Sequence, residues 1–276
     1  MKELALYNLK EGMVLAKDIT TPSGQVVLEK GKELTKQSIL RLSFYNIKSA
    51  CIVDGEEKQA APKSYSQKIK TSQKFQSFQV DHTIVLSQIR VSFEGYVNEG
   101  RPLDTSALRS KVVELFQSCK TSLELFNMLH NMHSSDDSVY VHSLNVSLIC
   151  RQIGKWIKAD DATLDMLTLA GLLHDIGKLK IPTELLNKPG KYTDEEFAQV
   201  RLHTQYGYEL LKPLPLDAHI KLAALSHHER CDGTGYPNGL TTNDIDPYAR
   251  VVAIADVYDA MTTCLLYTSP SPRDTR

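Results

Sequence analysis

The sequence predicts a mainly α protein, a helical bundle preceded by a small N-terminal α+β module. Three observations carry this expectation: a β-branched, turn-punctuated opening over residues 4 to 53, a polar stretch rich in lysine and serine after it, and apolar residues at helical spacing through most of the remainder. With 276 residues, 42% of them hydrophobic, the chain is long enough to bury one large core and a small one.

In the opening module, the apolar stretch Met13-Val14-Leu15-Ala16, the turn Pro22-Ser23-Gly24 and the run Val26-Val27-Leu28 suggest a hairpin. After a Lys30-Gly31 turn, Thr35 can cap a helix carrying Leu40, Phe44 and Ile47, and Cys51-Ile52-Val53 reads as a returning strand. From Asp54 to about Lys74 the composition is that of a linker. The expected division is a module over 1–60, a linker over 61–75, a helical domain over 76–263, and a separate tail over 264–276.

Helical periodicity then recurs around Val112 to Phe116, Leu144 to Ile153 and Leu164 to Leu173. Thr193 followed by Glu196 forms a capping box, predicting a helix that runs to about Leu211. Two further helices, Ala218 to Glu229 and Ala249 to Thr263, are separated by a loop containing Gly233, Gly235, Pro237, Asn238 and Gly239.

The formal charge is −1, from 32 basic and 33 acidic side chains, so no general field exists to hold a long nucleic acid by its phosphates. No apolar run approaches the roughly 20 residues of a membrane span, and residues 1–10 hold no apolar run long enough for a secretion signal. Five cysteines without paired metal spacing fit a reducing compartment, so a cytoplasmic location is expected.

The chemistry concentrates in seven side chains of the helical domain: His142, the pair His174 and Asp175, His203, the pair His227 and His228, and Asp256. Singly, each histidine reads more readily as a partly buried, hydrogen-bonded core residue than as a ligand. Together they suit a metal site, because facing helices of a bundle can aim one ligand each at a common point. Imidazole and carboxylate ligands without thiolate suit iron, manganese or zinc. Six or seven ligands can hold two ions, and a pair about 3.5–4 Å apart can clamp both oxygens of an in-line phosphoryl displacement. Lys178, four residues after His174, would stand one turn along a continuous helix and meet a phosphate, or simply end a helix near Gly177. Gly207 either permits close helix approach or is merely tolerated. Gly235, Tyr236 and Pro237 form a wall of the site or a plain turn.

Five segments give these residues a wider context: HSLNVS from His142, HDIGK at 174–178, HTQYG from His203, HHERCDGTGYP at 227–237 and ADVYDAMT at 255–262. Over about residues 130 to 263 the sequence resembles the HD-GYP family of phosphohydrolases. The resemblance implies an HD-type helical bundle and hydrolysis of cyclic di-GMP to pGpG or GMP with iron or manganese. It also implies that His142, His174, Asp175 and Asp256 hold one of two divalent ions. Asp175 would bridge to a second ion on His203, His227 and His228, and Lys178 would contact the scissile phosphate, with Gly235, Tyr236 and Pro237 beside the substrate.

Departures accompany the resemblance. Ser138 stands where some family members have a glutamate that holds a third metal, which favours two ions, and Cys231 stands where tryptophan is frequent. After the DAMT segment, Cys264 to Arg276 resembles translated sequencing-adapter DNA joined to a truncated gene. Residues 4 to 53 resemble, more loosely, the module found ahead of many HD-GYP domains, which implies a homodimer or a signalling partner engaged through it. The competing expectations are a catalytically weak cyclic-dinucleotide receptor and a generic HD nucleotide phosphohydrolase.

Overall fold

The structure is a computed structural model that describes residues 2–21, 26–35, 38–39, 42, 47–53, 69–132 and 139–264. The turn at Pro22-Ser23-Gly24, the positions Leu40 and Phe44, most of the linker, Ser138 and the tail beyond Cys264 lie outside the described residues. The chain divides into two compact units, Met1–Lys68 and Ile69–Arg276.

In the first unit β1 (Lys2–Ala5) pairs antiparallel with β4 (Ser49–Ile52), Lys2 opposite Ile52 and Ala5 opposite Ser49. The hairpin partner of β3 (Val26–Leu28) is β2 (Ile19–Thr20) rather than the expected Met13–Ala16 stretch. That stretch lies too far from the turn for a tight hairpin, and it bridges elsewhere, Val14 to Glu33 and Leu15 to Ile52. Leu15, Leu34, Leu42 and Ile52 close a small core of their own. Gly31 turns at φ +82°, a left-handed angle that glycine takes without strain. Thr35 and Ser38 exchange hydrogen bonds, Ser38 N to Thr35 Oγ1 at 3.1 Å and Thr35 N to Ser38 Oγ at 2.7 Å, the reciprocal geometry of a helix start.

The second unit is helical. α1 (Gln73–Glu99) starts inside the segment read as linker, because Ser72 Oγ accepts from Phe75 N and Phe75, Phe78, Val85, Ile89 and Phe93 give it a buried face. α2 (Thr105–Gln117), α3 (Ser122–Met132), α4 (Val139–Trp156) and α5 (Asp161–Leu173) follow, with Asp104 and Asp160 capping α2 and α5. α4 and α5 cross closely at Gly171, where a Cβ would lie 2.9 Å from both Cys150 Sγ and Ser147 Cα. A 3-10 turn (Ile176–Lys180) and the short α6 (Thr183–Leu186) lead to α7 (Asp194–Arg201) and α8 (His203–Leu211). α9 (Ala218–Ser226) and α10 (Pro247–Cys264) complete the described bundle. The core joins Phe93, Leu144, Leu148, Leu172, Leu173, Ile176 and Val252.

Two helix expectations need correction. The capping box is present, with Glu196 N donating to Thr193 Oγ1 and Thr193 N to Glu196 Oε2, yet the helix it starts is interrupted at Leu202 before α8 begins. Likewise the helix through His174 does not continue to Lys178. α5 ends at Leu173, and the backbone tightens into a 3-10 turn whose Gly177 touches α8: a Cβ there would fall 1.9 Å from His203 O. Gly207, by contrast, would meet only ordinary contacts, the nearest at 3.6 Å.

Candidate metal centre

Helix ends deliver the chemistry. His142 projects from α4, His174 and Asp175 from the C-terminus of α5, and Lys178 from the 3-10 turn. His203 opens α8, His227 and His228 follow α9, and Asp256 lies on α10. The seven expected ligand side chains and Lys178 come together. Asp175, 1% exposed, is the hub: its Oδ1 lies 3.4 Å from His203 Nε2 and 3.6 Å from His227 Nε2. Its Oδ2 lies 3.3 Å from His174 Nε2 and 3.6 Å from His142 Nε2, and receives the Lys178 ammonium. Two groups share it, Asp175 with His203, His227 and His228, and Asp175 with His142 and His174, each with ligand atoms within 4.8 Å of one another. Asp256 belongs to neither group; its Oδ1 is 2.9 Å from His142 Nε2, and its Oδ2 is 4.0 Å from His228 Nδ1.

The imidazoles are oriented by the helices that carry them. His174 Nδ1 donates to Gly171 O at 2.8 Å, His203 Nδ1 to Val200 O at 2.6 Å, and His227 Nδ1 to Ala223 O at 3.0 Å. A carbonyl can only accept, so each ring carries its proton on Nδ1 and presents the Nε2 lone pair to the centre, the outer support usual for metal-ligating histidine. Buried His174 Nε2 and Asp175 Oδ1 have no hydrogen-bond partner among the described residues. A buried polar atom without a partner costs about 1–3 kcal/mol, and two such atoms on adjacent residues among the clustered imidazoles fit a divalent cation.

The charge states agree at three of the rings. Burial pushes His174 and His228 down and His203 to about 3, keeping these rings neutral as ligands must be. Burial alone would raise Asp175, but the Lys178 ammonium and neighbouring imidazoles hold it well below the usual carboxylate range. Burial likewise opposes charge on His142, yet Asp256 and Asp259 outweigh it and lift that imidazole to about 10.

Asp259 is the residue that motif spacing did not single out. It is buried, its Oδ2 is 2.8 Å from His142 Nδ1, and its Oδ1 accepts from Asn145 Nδ2 at 3.0 Å. Asn145 in turn meets His82 of α1 at 3.4 Å. Its signal was its place three residues after Asp256, on the same helix face. Glu229 was missed too: buried, it accepts from Asn238 N at 2.7 Å and Leu240 N at 2.9 Å and so folds the glycine-rich loop back.

That loop lies against the centre. A Cβ at Gly235 would fall 2.4 Å from Arg230 N and 2.6 Å from His228 O, so only glycine fits. The Tyr236–Pro237 peptide is cis. The Tyr236 ring stacks on His228 with centroids 4.8 Å apart. Cys231, exposed, contributes its carbonyl to Thr242 N at 3.3 Å. No helix among the described residues is long and apolar enough to cross a membrane.

The HD domain family matches residues 122–273. The chain is 39% identical over 165 residues to a cyclic di-GMP phosphodiesterase of Pseudomonas aeruginosa, covering 59% of this chain and 40% of that protein. It is 37% identical over 155 residues to a cyclic di-GMP phosphodiesterase of Thermotoga maritima, covering 54% and 41%, and 36% identical over 154 residues to a 3'3'-cGAMP-specific phosphodiesterase of Vibrio cholerae, covering 55% and 30%. It therefore spans less than half the length of these curated relatives. Among solved structures, an HDG"Y"P protein from Bdellovibrio bacteriovorus shares the fold, with TM-score 0.58 and 19% identity over 95% of this chain and 88% of that one. Matched by the family across more than half its length, and carrying the HDIGK and GYP segments on the helix ends that build the centre, the chain belongs to the HD domain family, in its HD-GYP branch.

Proposed function

We propose that this chain is a metal-dependent phosphodiesterase that hydrolyses a cyclic dinucleotide, cyclic di-GMP foremost, to pGpG and/or GMP in the cytoplasm. The observation that carries the reading is the pair of buried atoms, His174 Nε2 and Asp175 Oδ1, without partners among the described residues, beside the neutral rings of His174, His203 and His228. His142, His174, Asp175 and Asp256 would hold one divalent ion; Asp175, His203, His227 and His228 would hold the other, iron or manganese in each case. When bound, such ions supply a nucleophile at neutral pH and neutralise charge growing on the phosphoryl oxygens.

The remaining steps belong to the protein. Asp175 offers two carboxylate oxygens to two sides and so fixes the spacing of the two ligand groups. Lys178, tethered to Asp175 across one short turn, places an ammonium where a phosphate oxygen would arrive. Gly235 lets the loop approach His228, and Tyr236 covers that imidazole and narrows access for water. Pro237 continues the wall. The N-terminal unit is kept as a module for self-association or a signalling partner.

Iron- or manganese-loaded protein, prepared anaerobically, is to be offered a panel of cyclic dinucleotides. Linear product from cyclic di-GMP, faster than from 3'3'-cGAMP, is expected. A fully loaded sample that cleaves neither overturns the reading.

A further inference from the structure

We infer that Arg201 is a substrate-binding residue that grips the second, non-reacting phosphate of the dinucleotide; the inference rests on the reading above. Arg201 ends α7, two residues before the ligand His203. Its guanidinium lies over the ring of Tyr236, 4.7 Å from the centroid, and over that of Phe197 at 5.1 Å. Tyr236 is the ring that stacks on His228 and lies 6.4 Å from His203, so the guanidinium stands on the rim of the centre beside the His203–His227–His228 group.

Its bonding is incomplete in a telling way. Among the described residues Nε is buried without a hydrogen-bond partner, and no carboxylate pairs with the guanidinium. Lys178, the other cation close by, is tethered to Asp175 and assigned to the reacting phosphate. Aromatic faces satisfy the charge in part but offer no acceptor to the N–H groups. A guanidinium held over two rings whose planes stand 79° apart, and paired with no carboxylate among the described residues, is prepared to turn its terminal N–H groups to a phosphate. A cyclic dinucleotide carries two phosphates, and only one can occupy the reacting position. The other is the acceptor that Arg201 lacks.

The competing role is a strut, in which the guanidinium only props Tyr236 against His228. The two roles separate on two substrates: cyclic di-GMP, with two phosphates, and bis(p-nitrophenyl) phosphate, a diester with one. Manganese-loaded wild type, Arg201→Met and Arg201→Lys are compared for KM, kcat and bound metal. For Arg201→Met, KM for cyclic di-GMP should rise about tenfold or more beyond any change for the simple diester, the loss of charge-assisted hydrogen bonds, with metal content equal to wild type. Arg201→Lys, charged but without the fork, should fall between. Equal losses on both substrates, lost metal, or an unmoved KM would overturn the inference in favour of the strut. If wild type cleaves the simple diester and no cyclic dinucleotide, the substrate reading fails first and this inference falls with it, an outcome seen without any variant.

Discussion

Removing Asp259 should weaken one ion site and spare the other. In Asp259→Ala, His142 Nδ1 loses its partner at 2.8 Å and Asn145 loses the acceptor at 3.0 Å. His142 is then held from its Nε2 side alone, by Asp256 at 2.9 Å and Asp175 at 3.6 Å, and its ring is freer to turn. Losing an outer partner of a ligating histidine lowers metal affinity about 10–100-fold, equivalent to about 1.4–2.7 kcal/mol. The group containing His203 and His227 takes its orientation from helix carbonyls that this substitution leaves alone. A manganese titration should therefore lose affinity in one step only. The metal-free protein should also suffer, because breaking a buried ion pair costs about 3–5 kcal/mol; with Asp256 still present the lower end applies. A loss of about 3 kcal/mol lowers Tm by roughly 6–12 °C for a unit of this size. Asp259→Asn, which keeps an acceptor oxygen but not the charge, should lose less on both counts. Unchanged affinity, or equal weakening of both steps, would refute the outer-support role.

The other predictions concern the ligands, the backbone and pH. Asp175→Ala should remove both metal occupancy and hydrolysis, whereas Lys178→Ala should raise KM while keeping its metal; metal loss in the lysine variant counts against its assignment. Gly177→Ala should destabilise the protein by about 3 kcal/mol, since its Cβ would meet backbone atoms at 1.9 and 2.4 Å. Gly207→Ala should be neutral or stabilise by up to about 1 kcal/mol, and urea midpoints compare the two. Acidification should destabilise the metal-free protein. The His203 imidazole takes a proton near 6.5 when unfolded but only at about 3 when folded, so the stabilisation complete above 6.5 drains away as pH falls toward 3. His142 has the opposite sign, its contribution present below 6.5 and lost as pH rises through about 10. Because His174 and His228 share the direction of His203, the urea midpoint should fall on the acid side; a midpoint that rises there contradicts the buried neutral rings.

The ligands were legible because their chemistry is scarce: adjacent His-Asp and His-His pairs beside apolar helix residues have few other uses. The capping box at Thr193 was legible for the same reason, its geometry being local. Arrangements fixed by tertiary contact were not. Nothing in residues 193–211 marks the break at Leu202, and the 3-10 turn that redirects Lys178 arises where Gly177 meets α8. Asp259 looked like one more acidic residue on a helix, although its spacing from Asp256 placed it on the ligand face. His82 and Arg201 belong to no recognisable pattern, and only the fold brings them near Asn145 and Tyr236. The hairpin of the first unit was misread at one strand, because Met13–Ala16 is apolar for reasons of core burial around Leu15 rather than of pairing with Val26–Leu28.

Imidazoles gathered around the buried Asp175 carboxylate are proposed to form a seat for two divalent ions. Direct metal analysis of folded protein, stripped and then reconstituted anaerobically with iron or manganese, tests it without any assumption about substrate. Two equivalents per chain, reduced to none by Asp175→Ala in a sample that remains folded, is the predicted result. A folded wild-type sample that takes up neither metal would contradict the account at its root.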